Sequence, residues 1–505
     1  MKLGRQKLGL LICVVAIGCA SPRDRLPDIA HIYEKAALNE ARNPVVVIHG
    51  ILGSRLAKPG PEGQSVWGAF TGNYADPATR EGARAIALPM DGTDEDVVAT
   101  GPLGQLKLNF LFGIISVNIY RDIIRTLGAG GYKDRVTVDP NTVRYAKDHF
   151  TCHSFWYDWR QDNVQGALRL GRFLREKRKE INEKARAKIT RLREEQPDTP
   201  GHEVHLREAQ ELEDWLARGF RFDIVAHSMG GLLARYYLRY GDEDLPTDGS
   251  EPEVTWAGAK EVDRLILVAP PNLGSMEALD QLIRGYEPSF LLPYYDPAIL
   301  GTMPAIYQLL PRLRQKLVLD AKEKPAELDF MDPRVWRDNH WGLMDPAFAK
   351  TLAWLIPGVT PERRRQIAYR YLESMLARAR AFQHALDKKP ARPCPAEIFL
   401  FAADSQPTLA RTVLRPERRA AGAPPRIRPT FPEDHRTTLP GDGTVTRYSA
   451  LGDERQGGPY QIRLRSHIPW TSQTFLSDDH IGLTKNPHFS DNILYLLLER
   501  PLPRR

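Results

Sequence analysis

Cysteine is scarce: Cys13, Cys19, Cys152 and Cys394 are the only four in 505 residues. So few cannot staple a disulfide-dense scaffold, and their spacing matches no cysteine-ligated metal site. No apolar run reaches the ~18 residues of a membrane-spanning helix, which excludes a polytopic membrane protein. Glycine (38) and proline (40) are too few for a collagen-like or low-complexity chain. No internal repeat and no nucleic-acid-binding motif is found. What is present is ordinary for a folded enzyme: 42% hydrophobic residues, 26% charged residues and enough length to bury a large core.

The net charge of +7 is concentrated in residues 171–193, which carry ten Lys or Arg against three Glu. At helical spacing such a run reads first as a solvated helix face. A patch that meets anionic lipid head groups is the sharper alternative. At the N-terminus, Lys2, Arg5 and Lys7 precede an apolar run from Leu8 to Gly18, too short to span a bilayer. It ends in Ala16-Ile17-Gly18-Cys19, which resembles a bacterial lipobox. Residues 1–18 are therefore expected to be a lipoprotein-type signal peptide, with Cys19 acylated as the mature N-terminus. Ala20 behind it resembles the sorting signal of Gram-negative outer-membrane lipoproteins. An ordinary secretory signal is the alternative. Either way Cys13 leaves with the signal, and Cys152 and Cys394 are expected to be free thiols.

Four apolar, β-branched-rich runs read as buried parallel strands: Pro44–Ile48, Phe222–Ala226, Arg264–Ala269 and Glu397–Ala403. Helical patterns lie between them, so the chain is predicted to be α/β, with a mostly parallel central sheet flanked by helices. The stretch from Ala269 to Glu397 is too long for one crossover and implies an inserted cap, rich in aromatic residues near Pro288–Tyr295 and at Trp336, Trp341 and Trp354. The expected division is a core from 40–274 and 396–500, a basic helical insertion near 171–220, and a cap or lid over 275–395. The Pro/Arg-rich residues 411–432 read as an irregular loop.

The second strand runs into Ala226-His227-Ser228-Met229-Gly230-Gly231 and then a helical pattern. This is a nucleophile elbow with alanine in place of the usual first glycine. The turn is tight, so its flanking residues must be small, and the helix N-terminus favours developing negative charge. Ser228 is the expected nucleophile. His49-Gly50-Ile51 follows the first strand, and the N–H groups of Ile51 and Met229 are the expected oxyanion donors. His49 itself is expected to orient that loop. For the acid, Asp404 ends the fourth strand, while Asp442 lies in Gly441–Val445 (GDGTV). For the base, His480 sits in Ser477–Leu483 close before the final helix, with His435, His467 and His488 as rivals. The order Ser228, Asp442, His480 is the one an α/β-hydrolase would use.

The motifs Pro44–Leu56, Trp67, Tyr157-Asp158-Trp159-Arg160, Ala226–Gly231, Ala269–Ser275, Met303–Pro311 and Gly441–Val445 occur in this order. In them the chain resembles the lecithin:cholesterol acyltransferase family, which includes lysosomal phospholipases. That resemblance implies an α/β-hydrolase fold with a membrane-binding cap and a Ser/Asp/His triad acting on lipid acyl esters. It also implies Asp442 rather than Asp404 as the acid. No paired cysteines follow Trp67, so a disulfide-closed lid is not expected, and His49 stands where animal members more often carry proline. The expected partners are a lipid ester and a membrane surface, with no nucleic acid, no obligate protein partner, no metal and no cofactor. The expected location is the outer membrane of a Gram-negative bacterium. A neutral lipase or general carboxylesterase, a non-catalytic lipid-binding lipoprotein and a peptidase are the alternatives.

Overall fold

The computed structural model describes residues 27–38, 42–60, 63–69, 72–93, 96–103, 106–110, 113–117, 121–132, 151–194, 201–288, 292–417, 426–457 and 463–501. Residues 1–18, expected to be a signal peptide, and Cys19 lie outside them.

Six parallel strands form the central sheet. They are β1 (Val45–Ile48), β2 (Cys152–Phe155), β3 (Phe222–His227), β4 (Val262–Val268), β5 (Glu397–Ala403) and β6 (Ser472–Leu476). The spatial order is β6-β5-β4-β3-β1-β2, and each neighbouring pair is parallel. The fold is that of an α/β-hydrolase. Strands β1, β3 and β4 are buried at every position, because helices cover both faces. This is why they stand out as continuous apolar runs. The outer strands β2 and β6 read CHSF and SQTFL, too short and polar to be marked by their composition.

Helix α1 (Asn163–Glu194) begins beyond the C-terminal end of β2 and descends along the sheet. At Arg178 it pairs with Glu261, next to the start of β4, so it has reached the rim where the strands begin. The rest of α1 packs Ile181, Ala185, Ile189 and Leu192 towards Ala209, Leu212 and Trp215 of α2 (His202–Arg218), forming a two-helix hairpin. Many of the basic side chains find carboxylates. Arg175 pairs with Asp242, Lys177 and Lys184 with Glu180, Lys188 with Glu208, and Arg193 with Glu213. Helix α3 (Met229–Tyr240) follows β3 directly and is wholly buried.

Between β4 and β5 come α4 (Met276–Arg284), short helices, and α5 (Pro361–Asp387). The α5 helix lies against α3, stacking Phe382 on Tyr236 at 5.8 Å and accepting a hydrogen bond from Tyr240 at the Ala385 carbonyl. Trp336 and Trp341 are fully buried against each other. Cys152 is buried, Cys394 partly so, and both are free thiols. The irregular loop expected over 411–432 is corrected: Thr412–Pro416 and Ile427–Thr430 form an antiparallel pair, joined by Val318–Leu319. Pro416 ends its strand and Pro429 lies on the edge strand, where a missing N–H does least harm to the ladder. Among the described residues no helix is long and apolar enough to cross a membrane.

Candidate active site

Each chemical group follows the C-terminal end of a sheet strand or a short strand beside it. Ser228 is the turn between β3 and α3. Its backbone stands at φ 53° and ψ −130°, a conformation that side-chain-bearing residues rarely adopt. It is held there by its N–H, which donates to the Val268 carbonyl of β4 at 2.8 Å. The neighbouring turn after β1 comes so close that a Cβ on Gly50 would lie 2.6 Å from the Ser228 Cβ. A Cβ on Gly230 would lie 2.4 Å from the His49 carbonyl oxygen. Glycine at both positions is therefore a condition for the two turns to meet.

Ser228 Oγ lies 3.0 Å from His480 Nε2, and His480 Nδ1 lies 2.8 Å from Asp442 Oδ2. The other Asp442 oxygen accepts from the N–H groups of Thr444 at 2.9 Å and Val445 at 2.7 Å. The GDGT turn thus fixes the carboxylate before the histidine arrives. The Asp442 carbonyl also accepts from the His480 N–H at 2.9 Å. Burial alone would raise the Asp442 pKa. The His480 imidazole and the hydrogen bonds reverse that and hold it below the ordinary carboxylate value. For His480, burial works to lower the pKa, but Asp442, Glu277 and Asp479 together raise it above the usual imidazole value.

Sequence reasoning passed over His227, which lies directly before Ser228. Its Nε2–H donates to the His480 carbonyl at 3.0 Å, and the two rings are 4.9 Å apart. Burial pushes its pKa down to about 3, so it is a neutral strut under the His480 loop. Only its place in the elbow could have hinted at this.

His49 backs the turn after β1. Its Nδ1–H donates to the Gly50 carbonyl at 2.9 Å, and its Nε2 accepts from the Ser54 hydroxyl. Its ring stacks on Tyr157 at 4.6 Å, and burial pushes its pKa down to about 4. The YDWR segment completes this brace. Tyr157 donates to the His49 carbonyl at 3.0 Å, and Trp159 to the Ser54 carbonyl at 3.2 Å. Arg160 is locked to Asp158 at 2.7 Å and to the Ile86 carbonyl at 2.7 Å.

The rivals stand elsewhere. Asp404 is paired with Arg447, and His467 with Glu454 at 3.3 Å, while His435 and His488 are exposed. Met229 is the first residue of α3, so its N–H has no partner within the helix. Ile51 lines the same cavity as Ser228. That cavity holds about 370 Å³. Ile51, Leu52, Val66, Trp67, Ile86, Trp159, Tyr295, Leu300, Met303 and Ile306 form much of its wall, and Glu277, Gln281, Thr444 and His480 also reach it. Among the described residues no group of three or more His, Cys, Asp or Glu is placed to hold a metal ion.

Residues 205–340 match the lecithin:cholesterol acyltransferase family. No curated protein matches the sequence. Among solved structures, the chain is similar to one in the crystal structure of a Tle4–Tli4 complex. The identity is 15%, the TM-score 0.49, and the match covers 90% of this chain and 98% of that one.

Proposed function

We infer that the chain is a serine-dependent lipid esterase that forms an acyl-enzyme and releases the acyl group to water or to an alcohol. The observation that carries this is the hydrogen-bonded series Ser228–His480–Asp442 opening onto an apolar cavity. The family match over residues 205–340 supports a lipid ester as the substrate.

In this reading His480 Nε2 takes the Ser228 proton as Oγ attacks the ester carbonyl. Asp442 holds the Nδ1–H tautomer and stabilises the imidazolium. The N–H groups of Ile51 and Met229 receive the developing oxyanion, each worth about 3 kcal/mol in the transition state. His480 then passes its proton to the leaving alcohol. A second alcohol or water reverses the sequence and frees the serine. The chemistry needs no metal or cofactor. The apolar lining, Trp67 and Trp159 included, would hold the acyl chain. A lipid anchor on Cys19 would keep the enzyme at the outer-membrane surface. Mass spectrometry of the mature N-terminus tests that part: an unmodified Cys19 in a membrane fraction contradicts it.

Ser228→Ala tests the core of the reading. Hydrolysis of a short-chain p-nitrophenyl ester should drop by roughly six orders of magnitude, and fluorophosphonate labelling should vanish, with the thermal melt unchanged. Equal labelling of wild type and variant would defeat the assignment.

A further inference from the structure

The cavity is chemically two-sided. Its apolar lining comes from the turn after β1, from Trp67 and Trp159, and from residues 300–306. Arg160, Tyr286 and Tyr295 also reach the cavity, and a further set of polar side chains, Glu277, Gln281 and Thr444, comes from α4 and the GDGT turn that carries the His480 partner Asp442. Glu277 and Gln281 are one turn apart on α4 and share a face of that helix. Ser275, which caps α4, donates to the Thr444 carbonyl at 2.9 Å, so Thr444 lies beside the start of the same helix. Glu277 is near enough for its charge to raise the His480 pKa. Burial pushes the Glu277 carboxyl itself up to about 7.

Among the described residues the Glu277 carboxyl, the Gln281 amide and the Thr444 hydroxyl have no hydrogen-bond or ion-pair partner. The three side chains are partly exposed and open to solvent in the cavity, so an occupant that displaces the solvent must replace its hydrogen bonds or leave them unsatisfied, which is costly. The reaction decides what would lie against them. His480 must deliver its proton to the oxygen of the leaving alcohol, so the alcohol part of the ester sits next to His480 and therefore next to this strip. A bulky apolar alcohol with one hydroxyl would leave the three groups unsatisfied. An alcohol with several hydroxyls would donate to Glu277 and exchange hydrogen bonds with Gln281 and Thr444.

We propose that Glu277, with Gln281 and Thr444, recognises the alcohol portion of the ester, and that this alcohol is a glycerol-type polyol rather than a sterol. Glu277 is then a specificity-determining residue. The proposal rests on the acyl-enzyme reading above. The same subsite serves a departing and an incoming alcohol. For an incoming polyol, His480 Nε2 takes the hydroxyl proton as its oxygen attacks the acyl carbon. The bond from that carbon to Ser228 Oγ breaks, and the proton returns to the serine, so atoms and charges balance with no further reactant.

Two arms test this with a single acyl chain. In the first, kcat/KM is compared for glyceryl monolaurate and methyl laurate in the same detergent micelles. In the second, p-nitrophenyl laurate is the donor and equal concentrations of glycerol and 1-propanol compete as acceptors. The wild type should favour the glyceryl ester in one arm or both, by roughly tenfold, and Glu277→Leu should bring that ratio to within about twofold of one. Because the ratio is taken within one variant, any change in His480 basicity cancels. Glu277→Gln should retain part of the preference, and Gln281→Leu should weaken it by a smaller factor. Fluorophosphonate labelling of Ser228 in each variant reports an intact active site. A wild-type ratio near one in both arms, or ratios unchanged in Glu277→Leu and Gln281→Leu, overturns the proposal while the acyl-enzyme reading stands. Failure of wild-type Ser228 to label overturns both.

Discussion

The two rims of the parallel sheet both bury an aspartate, and the two behave in opposite ways. At the rim where the strands begin, Asp223 accepts one hydrogen bond, from Asn43 at 3.2 Å, and faces Arg264 at 3.6 Å. Burial dominates there and pushes its pKa up to about 7. At the rim where the strands end, Asp442 accepts from Thr444, Val445 and His480, and its pKa falls. Both side chains are almost wholly removed from water. Burial pushes both pKa values up; at Asp442 the charge of His480 and the hydrogen bonds from His480, Val445 and Thr444 outweigh it, whereas at Asp223 the Arg264 charge and the Asn43 hydrogen bond do not, and Asp263 and Glu397 add to the rise. The first rim is a mutual neutralisation of charges at strand starts: Asn43 bridges Asp223 and Asp263, and Arg264 lies between Asp223 and Glu397. The second rim directs its charges at a cavity.

The basic hairpin belongs to the first rim. Arg178 meets Glu261 at the start of β4, and the hairpin continues from there, away from Ser228. Its cations are partly neutralised by its own carboxylates and by Asp242 and Glu261. The solvated-face reading of residues 171–193 accounts for this arrangement without a lipid contact.

The sharpest way to break the contrast is at Asp442. Asp442→Asn should lower kcat/KM by about four orders of magnitude, because the amide favours the wrong histidine tautomer. Asp404→Asn, which loses only a half-exposed pair with Arg447, should leave the rate essentially unchanged. Steady-state kinetics of the two variants on one ester decide between them, and the reverse ranking would move the acid to Asp404.

A smaller effect of another kind is expected at the opposite rim. Arg264→Met leaves the Asp223 and Glu397 carboxylates without their shared cation and should destabilise the fold by roughly 3–5 kcal/mol. The kcat of the folded fraction should be unchanged. Urea melts paired with active-site titration check this, and a fall in kcat at full folding would mean that the rims are coupled.

The smallest effect is in the pH profile. In the proposed reaction His480 must be neutral to take the serine proton, and its pKa is raised, so kcat/KM should fall as pH drops through a value above that of an ordinary imidazole. Asp442, Glu277 and Asp479 raise that pKa, burial lowers it, and the adjacent His227 is neutral in this range. Glu277→Gln removes one of the raising charges, so the acid limb should move to lower pH. A limb that stays in place or moves up would show that Glu277 does not act on His480.

Much of this molecule is written locally. Strands β1, β3, β4 and β5 declare themselves because a strand buried on both faces must be apolar throughout. Ser228 declares itself because a strand-to-helix turn with small neighbours tolerates few other sequences. The GDGTV turn carries its own reason, since Asp442 bonds to the N–H groups two and three residues on. The outer strands β2 and β6 were not legible because edge positions accept polar residues, and the pair within residues 411–432 was not legible because its strands are short and carry Pro416 and Pro429.

What the tertiary structure alone decided is which distant groups meet. Asp404 and Asp442 are both plausible acids along the chain, and only the packing pairs one with Arg447 and the other with His480. The parts played by His227, Tyr157 and Glu277 arise in the same way, from contacts across hundreds of residues or from a cavity that exists only when separate elements close around it. A sequence records local conformational preference directly. The solvation and charge around a side chain are set by neighbours that only folding supplies.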